Sequence, residues 1–584
     1  MKKLLALILA LAMVLSLAAC GSSSSSDDSS SSSSDDTSTT ETTDDASATT
    51  TGTEISACIA SEPETLDPTL VSSVDGNTYV QHMFEGLMKY VTTDSLAGDD
   101  EDCVLLEVDY GQAESYEVSD DGLTYTFYLR DDIYWSNGDE VTAYDFVYSW
   151  QRLVDTATAA DYGYLLDGIV VNATEIQSGE LDASELGVEA LDDKTFVVYL
   201  ETQCPYFLDL CAFSTLVPLN QDAVEASDNW AGDPETMVTN GAYVLSSWTH
   251  DSVITMVKSD SYYNADAVTM ETINWYLMDS ETTYLSSYQS GELDFVEALS
   301  GENITTMQAS GDCYIVDNIS SYYLYLNCET ITDWRVRAAI VLAIDRQNII
   351  DTIAMGGQTQ STGIVAGGIT TYDGGDWIEY TGTPLYAYLA DTYPDYDLTT
   401  YTGRTELAQA LLAEAEADGY DVTATLDYEY NTSDTHKAIA EAVQADLSSV
   451  LGMNATLNNS EWQTYTTNLS SGDFDLARLG WSADYDDPIT YLELFTDGNT
   501  YNYGNWSGDT CTEFTNLITE IKSMGDSAER DELMAEAEYL LFSEDGFTVC
   551  PIYNYTQNYC LTDGYSNIGW NPLGFFIFTY TTQS

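Results

Sequence analysis

The sequence predicts an α/β protein of two or three domains. Three observations carry this. The chain has 584 residues, more than one hydrophobic core normally supports. It is 44% hydrophobic and 12% aromatic, a globular composition. Segments of β-forming residues in alternation are interleaved with segments of helical periodicity, which is the order of α/β sheets.

The elements follow in order. Lys2 and Lys3 precede an apolar run from Leu4 to Ala19, shorter than the roughly 20 residues of a membrane span. This is the shape of an export signal. It ends in Leu17-Ala18-Ala19-Cys20, which resembles a bacterial lipobox; an ordinary signal peptide cut elsewhere is the alternative. Residues 1–19 are therefore read as a lipoprotein signal and Cys20 as the lipidated new N-terminus, whose acyl chains anchor the protein. Residues 21–53 read GSSSSSDDSSSSSSDDTSTTETTDDASATTTGT. With no large apolar residue, this stretch cannot offset its ordering entropy and is expected to be a disordered tether.

The globule starts near Glu54 with a strand to Ala60. Leu123 to Leu129 (LTYTFYL) alternates as a strand, Ser136-Asn137-Gly138-Asp139 is a turn, and Thr142 to Asp145 opens a helix as a capping box. Further strands are expected at Thr195 to Leu200, Val253 to Lys258, Ile273 to Met278, Tyr322 to Leu326 and Ala424 to Tyr430. Helices are expected at Asp333 to Ile353, Arg404 to Asp418, Thr435 to Leu451, Cys511 to Ser523 and Ala528 to Phe542.

Charge and motifs exclude function classes. The formal net charge is −83, from 98 acids against 15 Lys plus Arg. That argues against nucleic acid, which needs a basic surface, and against docking on anionic lipid. A solvated, highly soluble surface accounts for the acidity; steering of cationic ligands is the functional alternative. Nine cysteines remain beyond Cys20, with no CxxC pair, and there are three histidines, His82, His250 and His436. No HExxH, GxSxG, P-loop or GxGxxG is present. The chain is expected not to be an enzyme and to need no metal or cofactor.

One stretch raises a local question. In DFDLARLGWSADYDDP, from Asp473 to Pro488, strand periodicity puts Phe474, Leu476, Arg478 and Gly480 on one face. A cation among core-type residues is expensive without a partner. Arg478 either pairs with Asp484 or Asp475, or awaits an opposite charge from outside the chain. His436 falls in the first turn of a helix capped by Asp434 or Ser433, where a neutral imidazole donating an N–H suits a carboxylate.

Six stretches, in order, resemble the oligopeptide-binding proteins of ABC importers. They are SEPETLDPTL with MFEGL (Ser61 to Leu87), DIYWSNGDEVTAYDFVYSWQRLVDTATAADYGYLL, VTNGAYVLSSW, YLYLNCETITDWRVRAAIVLAIDR, YNTSDTHKAIAEAV and GDFDLARLGWSADYDDP. The resemblance implies a bilobed periplasmic-binding-protein-like type II fold with an additional third domain and a ligand cleft between the lobes. Lobe I takes 54–84, 219–319 and 557–584; the additional domain takes 85–218; lobe II takes 320–556. It implies that Asp484 binds a peptide's ammonium, that Arg478 and His436 take its carboxylate at certain lengths, and that Tyr162, Trp462 and Trp481 line the pocket. Gly480 and Ser482 are expected to give backbone hydrogen bonds to an extended ligand. Ser482 stands where some relatives carry Cys. The implied partners are an oligopeptide, ABC permease subunits and the membrane through its lipid, with the protein a monomer on the outer face of the cytoplasmic membrane. The alternatives are another solute in the same fold (nickel chelate or oligosaccharide), a surface peptide receptor, and a carboxylate-based hydrolase.

Overall fold

Ten strands line up in one mixed sheet. They are β1 (Glu54–Cys58), β2 (Tyr243–Thr249), β3 (Val253–Lys258), β4 (Thr272–Tyr276), β5 (Phe295–Glu297), β6 (Cys313–Leu326), β7 (Thr425–Asn431), β8 (Asn454–Ser460), β9 (Leu476–Ser482) and β10 (Val549–Leu561). Their spatial order is β8-β7-β9-β6-β10-β5-β1-β4-β3-β2, with Thr359–Gln360 pairing off the path to β10. The computed structural model of the protein describes residues 53–59, 62–97 and 102–584. The signal segment, Cys20 and the tether to residue 52 lie outside the described residues. No helix among the described residues is long and apolar enough to cross a membrane.

β6 and β10 are the longest strands, antiparallel neighbours at the middle of the sheet. Their register slips between Asp317, opposite Thr556, and Ser321, opposite Asn554. On one side of the slip β10 continues to β5 and β1; on the other, β6 continues to β9 and β7. Two four-stranded sheets stand apart from this one. Ala113–Val118, Thr124–Leu129, Thr195–Tyr199 and Val188–Asp192 form an antiparallel sheet covered by helix α1 (Ala143–Val154). Met88–Leu96 and Cys103–Tyr110 pair with Ile568–Asn571 and Phe575–Ile577 near the C-terminus.

α1 begins as its sequence predicts: the Asp145 carboxylate accepts from the Thr142 N–H at 2.7 Å and from its hydroxyl at 3.0 Å. Further helices are α2 (Trp334–Ala343), α3 (Tyr401–Ala417), α4 (Asp434–Asp446), α5 (Trp462–Ser471), α6 (Asp509–Ile521) and α7 (Ala528–Leu541). The single helix expected over Asp333 to Ile353 is interrupted. α2 stops before Ile344, which is extended, and Asp345 caps a new turn by accepting from the Asn348 N–H at 3.1 Å. The break lets the buried Arg346 guanidinium donate to Pro551 O at 2.7 Å and Val341 O at 3.0 Å. A side chain that competes for the backbone ends a helix that apolar periodicity alone would prolong.

Candidate functional site

β9 organises the site. Its whole length pairs antiparallel with β6, from Leu476 opposite Leu326 to Ser482 opposite Ser320. β7 lies parallel along its other edge at Leu476 and Ala477 only. Asn327 N donates to Asp475 O and Ala483 N to Ile319 O, both at 3.0 Å. Residues 477, 479, 481 and 483 therefore turn their backbone groups to β6, while Asp475, ahead of the strand, gives its carbonyl to β6 and its N–H to Asp427 O of β7 at 2.9 Å. Arg478, Gly480 and Ser482 turn theirs to the opposite edge, past the end of the β7 pairing. Tyr465 hydroxyl takes the Arg478 carbonyl. Gly480 packs tightly: a Cβ there would meet Ser321 O at 3.2 Å and the Tyr555 ring at 3.5 Å. Ser482 Oγ accepts from Ser320 Oγ at 2.9 Å.

At one end stands the cation. The Arg478 side chain is 9% exposed. Its Nη2 donates to Tyr555 OH at 2.8 Å and its Nη1 to Asn431 Oδ1 at 3.2 Å. The guanidinium lies 4.8 Å from the centre of the Tyr322 ring, so a π face replaces part of its lost hydration. Among the described residues no carboxylate forms an ion pair with it. The pairing of Arg478 with Asp484 or Asp475 is thus not what the fold uses; Asp475 instead accepts from the Asp427 N–H at 2.7 Å. Arg478 Nε is buried with no hydrogen-bond partner in the protein.

His436 completes this end. Ser433, rather than Asp434, caps α4 by accepting from the His436 N–H at 3.3 Å. The imidazole sits 5.7 Å from the Tyr322 ring, and its Nδ1 is also buried without a partner. Burial, with the Arg478 charge added, lowers its pKa to about 3. It is neutral at physiological pH, with one N–H to give. Trp462 opens α5 beside this cluster, half-exposed at 52%, its ring 6.0 Å from that of Tyr465.

Beyond the other end of β9 stands the anion. Asp484 is half-buried; its Oδ2 accepts from Tyr164 OH at 2.9 Å. Burial pushes its carboxyl up to about 7, the Tyr164 hydrogen bond opposing and Glu493 adding to the rise. It lines a pocket of about 450 Å³ together with Tyr164, Trp481, Glu493, Tyr501 and Lys522. Lys522 Nζ is held by Glu493 at 2.8 Å. Trp481 donates from Nε1 to Thr490 Oγ1 at 3.2 Å and packs edge-on to Tyr501 at 5.1 Å. Tyr162 is half-buried, 5.2 Å from Phe213 and 5.9 Å from Tyr164 between ring centres.

The structure therefore brings Arg478, His436 and Trp462 to one cluster, and Asp484, Trp481 and Tyr162 to another, with Gly480 and Ser482 along the strand between. The family model for bacterial extracellular solute-binding proteins, family 5 (middle), matches residues 107–503. The chain belongs to that family. It is 31% identical over 518 residues to the oligopeptide-binding protein OppA of Bacillus subtilis, covering 87% of this chain and 88% of that one. It is 33% identical over 505 residues to the periplasmic oligopeptide-binding protein OppA of Salmonella typhimurium, covering 85% and 86%. Among solved structures, Listeria monocytogenes OppA bound to peptide superposes with a TM-score of 0.70 at 28% identity, covering 91% of this chain and 99% of that one. The fold is the bilobed periplasmic-binding-protein type that the six sequence stretches imply.

Several residues of these two clusters were not visible in the sequence. Tyr164 lies only two residues past Tyr162, but nothing local shows that it reaches Asp484. Tyr322 faces Gly480 across the β6–β9 ladder, so register would have found it once the strand order was known. Tyr555 comes from β10, a strand that sequence patterning did not reveal.

Proposed function

We propose that the protein is an extracytoplasmic lipoprotein that captures oligopeptides and delivers them to an ABC permease. One observation carries the reading. Opposite charges stand at the two ends of β9, neither neutralised by the other, with backbone groups facing an unladdered edge between them. Arg478 to Ser482 spans roughly 13 Å at about 3.3 Å per strand residue, and Asp484 lies beyond. An extended tri- or tetrapeptide holds its terminal charges roughly 10 Å or more apart. Asp484 takes the ammonium. Arg478 Nε and the neutral His436 supply donors for the carboxylate, and Gly480 and Ser482 bind the peptide backbone as an added strand. Tyr162, Trp462 and Trp481 supply rigid walls. The family resemblance to proteins named for oligopeptides supports this assignment.

Lobe I (54–84, 219–319, 557–584) and lobe II (320–556) close on the ligand by hinge motion. The crossings between them fall at 319/320 and 556/557, beside the β6–β10 register slip, where the ladder is already broken. The additional domain (85–218) brings Tyr162 and Tyr164 to the cleft. Cys20 and the tether hold the monomer at the outer face of the cytoplasmic membrane, and ATP is hydrolysed by other subunits. The reading requires no bond chemistry, metal or cofactor.

Native mass spectrometry of the protein as purified tests the class of ligand. Adducts with tri- to pentapeptide masses, unchanged on prolonged incubation, are the expected result. A nickel-bearing adduct, a sugar mass or cleaved peptides would each replace the proposal with one of its rivals.

A further inference from the structure

Three cysteines stand in one row across the main sheet. Cys58 of β1 pairs with Val296 of β5, Val296 pairs with Cys560 of β10, and Cys560 pairs with Cys313 of β6. Val296 puts Cys58 two strand spacings from Cys560, about 9.5 Å, beyond disulfide reach. Cys313 and Cys560 are direct neighbours.

Antiparallel neighbours are of two kinds, and the non-hydrogen-bonded kind brings side chains closer. The surrounding bonds identify this one. Leu561 N donates to Asp312 O at 3.3 Å, so 312 and 561 form a hydrogen-bonded pair and the next pair, Cys313 with Cys560, does not. The other edge of β10 agrees. Ala298 N donates to Asn558 O at 3.0 Å and Thr562 N to Asp294 O at 2.9 Å. Residues 558, 560 and 562 therefore turn their backbone groups to β5, away from β6. At such a pair the Cα atoms lie about 4.5 Å apart, inside the range that disulfides bridge, about 4.4–6.8 Å. Each thiol is the largest influence on the other's titration, Cys313 being lowered and Cys560 raised. Both are buried in a small apolar cluster with Leu293, Val296, Leu299, Ile304 and Met307. Two buried cysteines used only as small apolar fillers need not face each other in this register.

The family is extracellular, the setting in which disulfides form and persist. We infer that Cys313 and Cys560 are joined by a disulfide in the exported protein. The exchange balances with an external disulfide donor: both thiols lose their protons, the S–S bond forms, and the donor's own disulfide is cleaved to two thiols. Because Cys560 is fully covered in the folded protein, the exchange takes place on the folding chain. The bond then ties the two long strands together a few residues before the slip at Asp317. It leaves Cys58 as a thiol.

The test uses the full chain exported from a bacterial host and trapped at harvest with N-ethylmaleimide in denaturant, without reductant. Peptide mapping is expected to find Cys313 joined to Cys560, both taking label only after reduction. The melting temperature should fall on adding dithiothreitol, whereas that of Cys313→Ser should be the same with and without it. Labelling of both cysteines before reduction, a bridge from either one to another cysteine, or a reductant-sensitive melting temperature in Cys313→Ser overturns the inference.

Discussion

The two ends of β9 solve the same problem in opposite ways. The Arg478 end encloses a permanent charge and compensates it with ring faces, a phenol and an amide. The Asp484 end leaves its carboxyl half-buried in a pocket shared with Glu493, so its charge is conditional, with a pKa of about 7. The difference follows from the side chains. A guanidinium cannot shed its proton at accessible pH, so the fold must house it fully. A carboxyl can take one up, so an empty site can hold it neutral and avoid a buried charge. On the proposed reading, the cationic end is built in advance of the peptide, and the anionic end is completed by it.

The largest expected effect breaks the anionic end. Asp484→Ala should weaken tri- and tetrapeptide binding by about 2–5 kcal/mol, the usual cost of truncating one partner of a buried charge pair, as titration calorimetry would read. The same change should leave the free protein at least as stable at pH 8. The sign follows from linkage. A carboxyl raised in the folded state from about 3.9 to about 7 contributes its stability below pH 4 and loses it as pH rises through 7. A peptide affinity unaffected by Asp484→Ala would remove the asymmetry altogether. Next in size is Arg478→Met, expected to cost about 1.5–3 kcal/mol for a peptide whose carboxylate reaches it. The comparison sharpens if C-terminally amidated peptides of the same length lose almost nothing.

How much of this was legible in sequence depends on whether the information is local. The strand at β9, a cap at Asp434 or Ser433 and the capping box at Thr142 are local, and alternation or short-range chemistry reveals them; the structure decides the cap for Ser433. The α/β class came from interleaved periodicities, whereas the bilobed architecture and the roles expected of Asp484, Arg478 and His436 came from ordered stretches of family likeness. What surrounds Arg478 is not local. Tyr322, Asn431 and Tyr555 reach it from three strands, and their meeting is set by the order β7-β9-β6-β10, which the chain does not follow. β10 was hidden by Pro551, a residue that argues against a central strand. The fold places it where the β6–β10 register shifts between Tyr322 and Tyr323, a break at which a missing N–H is tolerated.

The smaller predictions concern the conditional charge. Peptide affinity should rise about tenfold per pH unit below 7 and level off above it, because ammonium binding requires Asp484 ionised and the empty site holds it protonated. Above about pH 8 it should fall again as the peptide's own amine, near 7.7–8.0, loses its proton. Calorimetry in buffers of different ionisation enthalpy should register proton release on binding near pH 7, and Asp484→Asn should abolish that release. The smallest effect belongs to Tyr164→Phe. The Tyr164 hydroxyl donates to Asp484 and favours its ionised form, so its removal should move the lower limb of the pH profile upward by a few tenths of a unit, about 0.5 kcal/mol. A profile with no lower limb at all would mean that Asp484 is ionised in the empty protein, and the two ends of the strand would then differ in surroundings but not in kind.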